Sequence, residues 1–123
     1  MSTVFNEQIY LGDLLKFEEE NLYSRDTITV AAGQNLLLGT VLGMLGSKAV
    51  ALSPAATDGS EKAIGILIDD VDATAADSES VMVSRNATVS DRYVIWPTGI
   101  TATQKSAAIA ELNVLGVVLR QGA

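Results

Sequence analysis

A chain of 123 residues has room for one domain with its own core, and not for two of ordinary size. It contains no histidine and no cysteine, which removes Ser-His-Asp and Cys-His nucleophilic machinery, His-ligated zinc, disulfides and iron–sulfur clusters. A net charge of −7 works against phosphate backbones and anionic bilayers, both of which need clustered Lys and Arg, so neither nucleic acid nor membrane is expected as a partner.

Apolar residues make up 48% of the chain but aromatics only 5%, so the core has to be built from Val, Ile, Leu and Ala. Ten glycines, two prolines and abundant Thr, Val and Ser favour short strands and turns over a helical bundle. The expected class is therefore mainly β. The start, "MSTVFNEQIYLGDLLKFEEE", lacks the basic flank and apolar stretch of a secretory signal. The most apolar window, "NLLLGTVLGMLGSKAVALSP", has Gly39 and Gly43 at GxxxG spacing, but Lys48 and the Gly46-Ser47 turn signal interrupt it before a bilayer could be crossed.

Residues 1–26 differ from the rest. They hold most of the Tyr and Phe and carry six acids against two bases. Their apolar residues, Ile9, Tyr10, Leu11, Leu14, Leu15, Phe17, Leu22 and Tyr23, are too many for a solvated tail and too scattered for a core element. This reads as an arm ahead of a β-rich domain at 27–123, with spacing compatible with a short helix over 13–20. Two readings of the arm stand: a terminal segment packed on its own domain, or one that orders on a partner.

From Thr27 the pattern alternates, with Ile28 and Val30 on one face, then a Gly33-Gln34-Asn35 break and a second strand through Leu38, Val41 and Leu42. "VLGML-GS-KAVAL" predicts a β-hairpin in which Gly46 supplies a positive φ at a two-residue turn. "SPAATDGSEK", residues 53–62, predicts an exposed loop leading to a strand over 63–68. After the small polar loop "ATAADSES", strands are predicted over 81–89 and 92–97, the second ended by Pro97, which cannot donate to a ladder. Thr101 and Gln104 stand at capping-box spacing ahead of Ala108, Ile109 and Leu112, predicting a helix over 101–112 and a last strand over 113–120.

The motifs that would carry chemistry are weak. "GSK" at 46–48 has the wrong order for a phosphate loop and leads into a strand rather than a helix. Asp69, Asp70, Asp72 and Asp77 are rich in oxygen, but "DDVDATAADSES" lacks the glycine and spacing of a calcium loop. On a strand Asp70 and Asp72 share a face while Asp69 points away, so a hydrated strand end is the expectation, with no metal and no cofactor. Paired carboxylates for glycoside chemistry need aromatic platforms, and the one Trp is thin support. Trp96, followed by Pro97, is expected to anchor the core or a subunit interface, with ligand stacking as the lesser reading.

The order of the pieces, apolar hairpin, "TDGSEKAIGILIDDVDATA", "VSRNATV", "VIWP", a short helix near "ITATQK" and a closing strand, resembles the head decoration proteins of tailed phages. The resemblance covers residues 39–120. Its most specific marks are Asp58-Gly59 leading into Ala63-Ile64-Gly65-Ile66-Leu67, with Ile95-Trp96-Pro97 behind. The segment "LLKFEEENLYSRDTITVAAGQ" looks like the arm of a large branch of that family and differs from the arm of the lambda protein.

The resemblance implies a β-clip-like, non-enzymatic subunit that forms a homotrimer and cements the outer surface of the expanded capsid in the virion. Its partner would be the major capsid protein, engaged through residues 2–30. Two rivals remain. One is a trimeric clip-fold nucleotide hydrolase, disfavoured because "LRQGA" is not a Gly-rich nucleotide-covering arm. The other is a virion-displayed carbohydrate-binding β-module, which turns on the exposure of Trp96.

Overall fold

The structure is a computed structural model that describes the backbone of residues 15–18 and all of residues 25–120. The strands are β1 (Leu15–Glu18), β2 (Arg25–Val30), β3 (Gln34–Leu36), β4 (Val41–Leu45), β5 (Lys48–Ala51), β6 (Gly65–Leu67), β7 (Val71–Ala73), β8 (Ser78–Val83), β9 (Ala87–Ser90) and β10 (Val117–Arg120). A 3-10 turn at Asp91–Tyr93 and a helix, α1 (Ala102–Leu115), complete the described elements. The mainly β class is as expected.

Five strands close a small barrel in the order β2-β5-β4-β6-β8. Beside it lie a three-stranded sheet, β1-β9-β10, and a two-stranded ribbon, β3-β7. Because strand side chains alternate, neighbours on β4, β6 and β8 point to opposite faces, and here both faces are buried. Leu42, Leu67 and Met82 fill one core with Ile28, Val30 and Ala49. Val41, Ile66 and Val83 fill a second with Val89, Leu112 and Val117. This accounts for the continuous apolar runs "VL", "GILI" and "VMV", where a strand with one solvated face would alternate apolar with polar.

The hairpin forms as predicted, with Leu45 opposite Lys48 and Gly46 at φ +64°. The strand expected over 81–89 is broken. β8 ends at Val83, Asn86 adopts φ +50°, and β9 starts at Ala87, because a short Asn side chain tolerates the left-handed region that β-branched residues avoid. The strand expected through Leu38, Val41 and Leu42 starts only at Val41, as β4, while the expected break at 33–35 gives way to the short strand β3. Residues 92–97 form no regular strand: Ile95 makes one isolated parallel bridge to Thr40, donating its N–H to the Gly39 carbonyl at 2.8 Å.

The capping box is present, with Gln104 N–H donating to Thr101 Oγ1 at 3.1 Å and Thr101 N–H to Gln104 Oε1 at 3.0 Å. The helix runs three residues past its predicted end. Its stop is Gly116, at φ +97°, whose N–H reaches the carbonyls of Leu112 and Asn113. The loop 53–62 is not wholly exposed either. Ser60 is buried, its N–H and hydroxyl both donating to Asp58 Oδ1, at 3.0 and 2.6 Å, and its carbonyl accepting from Ser53 N–H at 2.9 Å.

Leu15–Glu18 is a strand, not part of a helix over 13–20. β1 pairs antiparallel with β9, with Leu15 opposite Val89 and Glu18 opposite Ala87, and satisfies a sheet edge that a short isolated helix could not. β2 begins at Arg25 and so crosses the 26/27 boundary expected from composition.

Candidate functional site

Of the residues expected in the arm, Ile9, Tyr10, Leu11, Leu14, Leu22 and Tyr23 lie outside the described residues. Leu15 and Phe17 fall on β1, where their backbones face Val89 and Thr88 across a ladder with an irregularity between them. The start of β2 is tied firmly to the domain. Asp26 Oδ2 accepts from Ser84 Oγ at 2.6 Å and pairs with Arg85 Nη2 at 2.5 Å. The Ser84 hydrogen bond, seconded by Arg85, holds the Asp26 carboxyl below its ordinary value against the opposing effect of burial.

Trp96 is half-buried and packs against the second core cluster, while Lys105 Nζ sits 5.4 Å from its ring centroid. Trp96 and Pro97 line a cleft of about 260 Å³ together with Leu36, Leu37, Thr40 and Leu52. No ionisable side chain lines it. The composition of this cleft, apolar with a few neutral polar groups, offers no ionisable general acid or base.

A second surface lies at the end of α1. Val114 is 87% exposed, and Leu115 and Val118 are 41% and 44% exposed. Val114 and Leu115 border a pocket of about 460 Å³ with Ile64, Met82, Asp26 and Arg85. Sequence reasoning missed this corner by ending the helix at Leu112. The signal that would have found it is Gly116, a helix stop that leaves Val114 in the last turn.

The aspartates behind β6 bind the protein's own loops. Asp70 Oδ1 accepts from Leu38 N–H at 2.7 Å. Asp72 Oδ1 accepts from the Thr74 amide at 3.0 Å and the Thr74 hydroxyl at 2.5 Å. Asp77 accepts from Ala32 N–H at 2.9 Å and pairs with Lys48 Nζ at 2.6 Å. Among the described residues no group of three carboxylates is placed to hold a metal ion. The Thr74 hydroxyl lowers the pKa of Asp72, and Lys48 that of Asp77.

Carboxyls lowered in the fold bind fewer protons there than in the unfolded chain, so stability rises with pH through the carboxylate range. The stabilisation from Asp26, Asp72 and Asp77 should be fully present above about pH 5 and fade as pH falls below about 4. Thermal melts from acid to neutral pH should show this slope, Asp77→Asn should flatten it, and added calcium should leave the neutral melting temperature unchanged. A calcium-dependent rise of several degrees would contradict the loop-tying role.

A small barrel, a capped helix and an uncharged Trp-Pro cleft all lie within the stretch matched by a family model, which stops at the first residue of β10. That model, described as bacteriophage lambda head decoration protein D, covers residues 4–117. The chain belongs to this head decoration protein family. The match takes in residues on both sides of the 26/27 boundary expected from composition. No curated protein matches the chain. The family is a structural component of the phage head, which assigns the chain a capsid decoration role and a place on the phage capsid.

Proposed function

We propose that the protein binds the exterior of the expanded head as homotrimers, through contacts with the major capsid protein, and stabilises the shell without catalysing a reaction. The observation that carries this reading is the family match across residues 4–117, arm included. Three arms on one trimer act as a multivalent unit, because once one has bound the others bind intramolecularly, so no single contact has to be strong. The residues proposed to meet the shell are those of the arm, Ile9, Tyr10, Leu11, Leu14, Leu15, Phe17, Leu22 and Tyr23. Arm 1–26 and domain 27–123 divide the work between attachment and bulk.

Purified protein added to expanded, undecorated heads of a phage that carries it should co-sediment with them and saturate at three copies per threefold position. The decorated heads should withstand heat or chelation that bursts bare ones. Protein that stays in the supernatant at micromolar concentration would refute the reading.

A further inference from the structure

The proposed trimer needs an interface, and one subunit carries two apolar surface features. The Trp96 cleft is a concave surface with an uncharged lining, and Leu37, 57% exposed, stands at its wall. Trp96 Nε1 is buried with no hydrogen-bond partner. Buried polar groups are nearly always paired, so this orphan indicates that the surroundings of Trp96 in the single chain are incomplete. At the Val114–Leu115 corner, Val114 projects into solvent from the rim of the second pocket. A Val exposed to 87% on the last turn of a helix contributes nothing to its own core. The Gly116 N–H caps the carbonyls of Leu112 and Asn113, while those of Val114 and Leu115 lie beyond the last intrahelical bond.

We infer that the Val114–Leu115 corner of one subunit seats in the Trp96 cleft of the next. This inference rests on the proposed trimer. The occupant is a second copy because a threefold ring is built from heterologous contacts, each joining two different patches of the same chain, and both patches are present here. Charge points the same way. Copies of a chain with net charge −7 repel unless their contact excludes unpaired charge. The cleft has no ionisable lining residue, and the charges beside the corner, Asp26 and Arg85, pair with each other.

Light scattering separates the outcomes. Wild type should have three times the chain mass, and Val114→Asp, which alters a side chain outside the core, should fall to the monomer with an unchanged circular dichroism spectrum. The chain has no cysteine, so single substitutions report cleanly. Leu37→Cys mixed with Val114→Cys should give an interchain disulfide that neither forms alone. A trimeric Val114→Asp protein, or Val114→Cys that dimerises with itself, overturns this contact and leaves the trimer standing. A wild type that is monomeric both free and on heads overturns the trimer and the contact together.

Discussion

Gly39→Ala should cost about 2–5 kcal/mol of folding stability, the sum of a left-handed backbone strain and a core overlap. Gly39 sits at φ +102°, and a Cβ there would stand 2.3 Å from the Tyr93 carbonyl oxygen. That oxygen is backbone and has little room to move. Gly39 donates its N–H to the Leu67 carbonyl at 2.8 Å and accepts from Ile95 N–H at 2.8 Å, so it is clamped between β6 and the segment that carries Trp96. The added methyl has to push residues 93–95 outward, which opens the cleft as well as loosening the core. For a domain of this size the loss should lower the melting temperature by about 10 °C or more. Gly33→Ala is the control: Gly33 has a similar φ of +94° but no atom within 4 Å of its would-be Cβ. It should lose only the backbone part, about 1 kcal/mol. Equal losses at the two sites would show that strain, and not the close approach to Tyr93, sets the cost.

Two truncations should separate attachment from folding. Deleting residues 1–14 should leave the melting temperature within a few degrees of wild type and weaken head binding by at least about 100-fold, the scale on which linked contacts raise avidity. Deleting residues 1–26 should abolish binding and also destabilise the fold. It strips β1 from the edge of β9 and removes Arg25 and Asp26 from opposite Val83 and Met82 on β8. It also leaves the buried Ser84 without its Asp26 acceptor, and the combined loss is expected to be about 2 kcal/mol or more. Co-sedimentation with bare heads and circular dichroism melts check both. If the 1–14 truncation still saturates heads at wild-type affinity, the attachment lies in the domain, and the loop 53–62 is the next place to look.

The composition of the chain alone determined a β-rich domain without histidine or cysteine chemistry, and local patterns determined the Gly46 hairpin and the Thr101–Gln104 capping box. These features depend on residues within a few positions of one another, and the backbone physics of a turn or a cap is complete at that range. The order of motifs was enough to point to the decoration family, which the match over residues 4–117 shows. Only tertiary structure decided where the strands break. Residues 81–89 read as continuous because Val, Met and Thr favour extension throughout, and it is Asn86, packed against Gly116 across the β8–β9 turn, that divides them. Residues 92–97 read as a strand for the same reason, yet among the described residues they form a single isolated bridge, Ile95 to Thr40, where a ladder was expected. The sequence likewise placed three aspartates behind β6 without showing what they hold. Asp72 holds the neighbouring Thr74, but Leu38, the partner of Asp70, and Ala32 and Lys48, the partners of Asp77, are far away along the chain, and only closing the barrel and the β3–β7 ribbon brings those donors to the carboxylates.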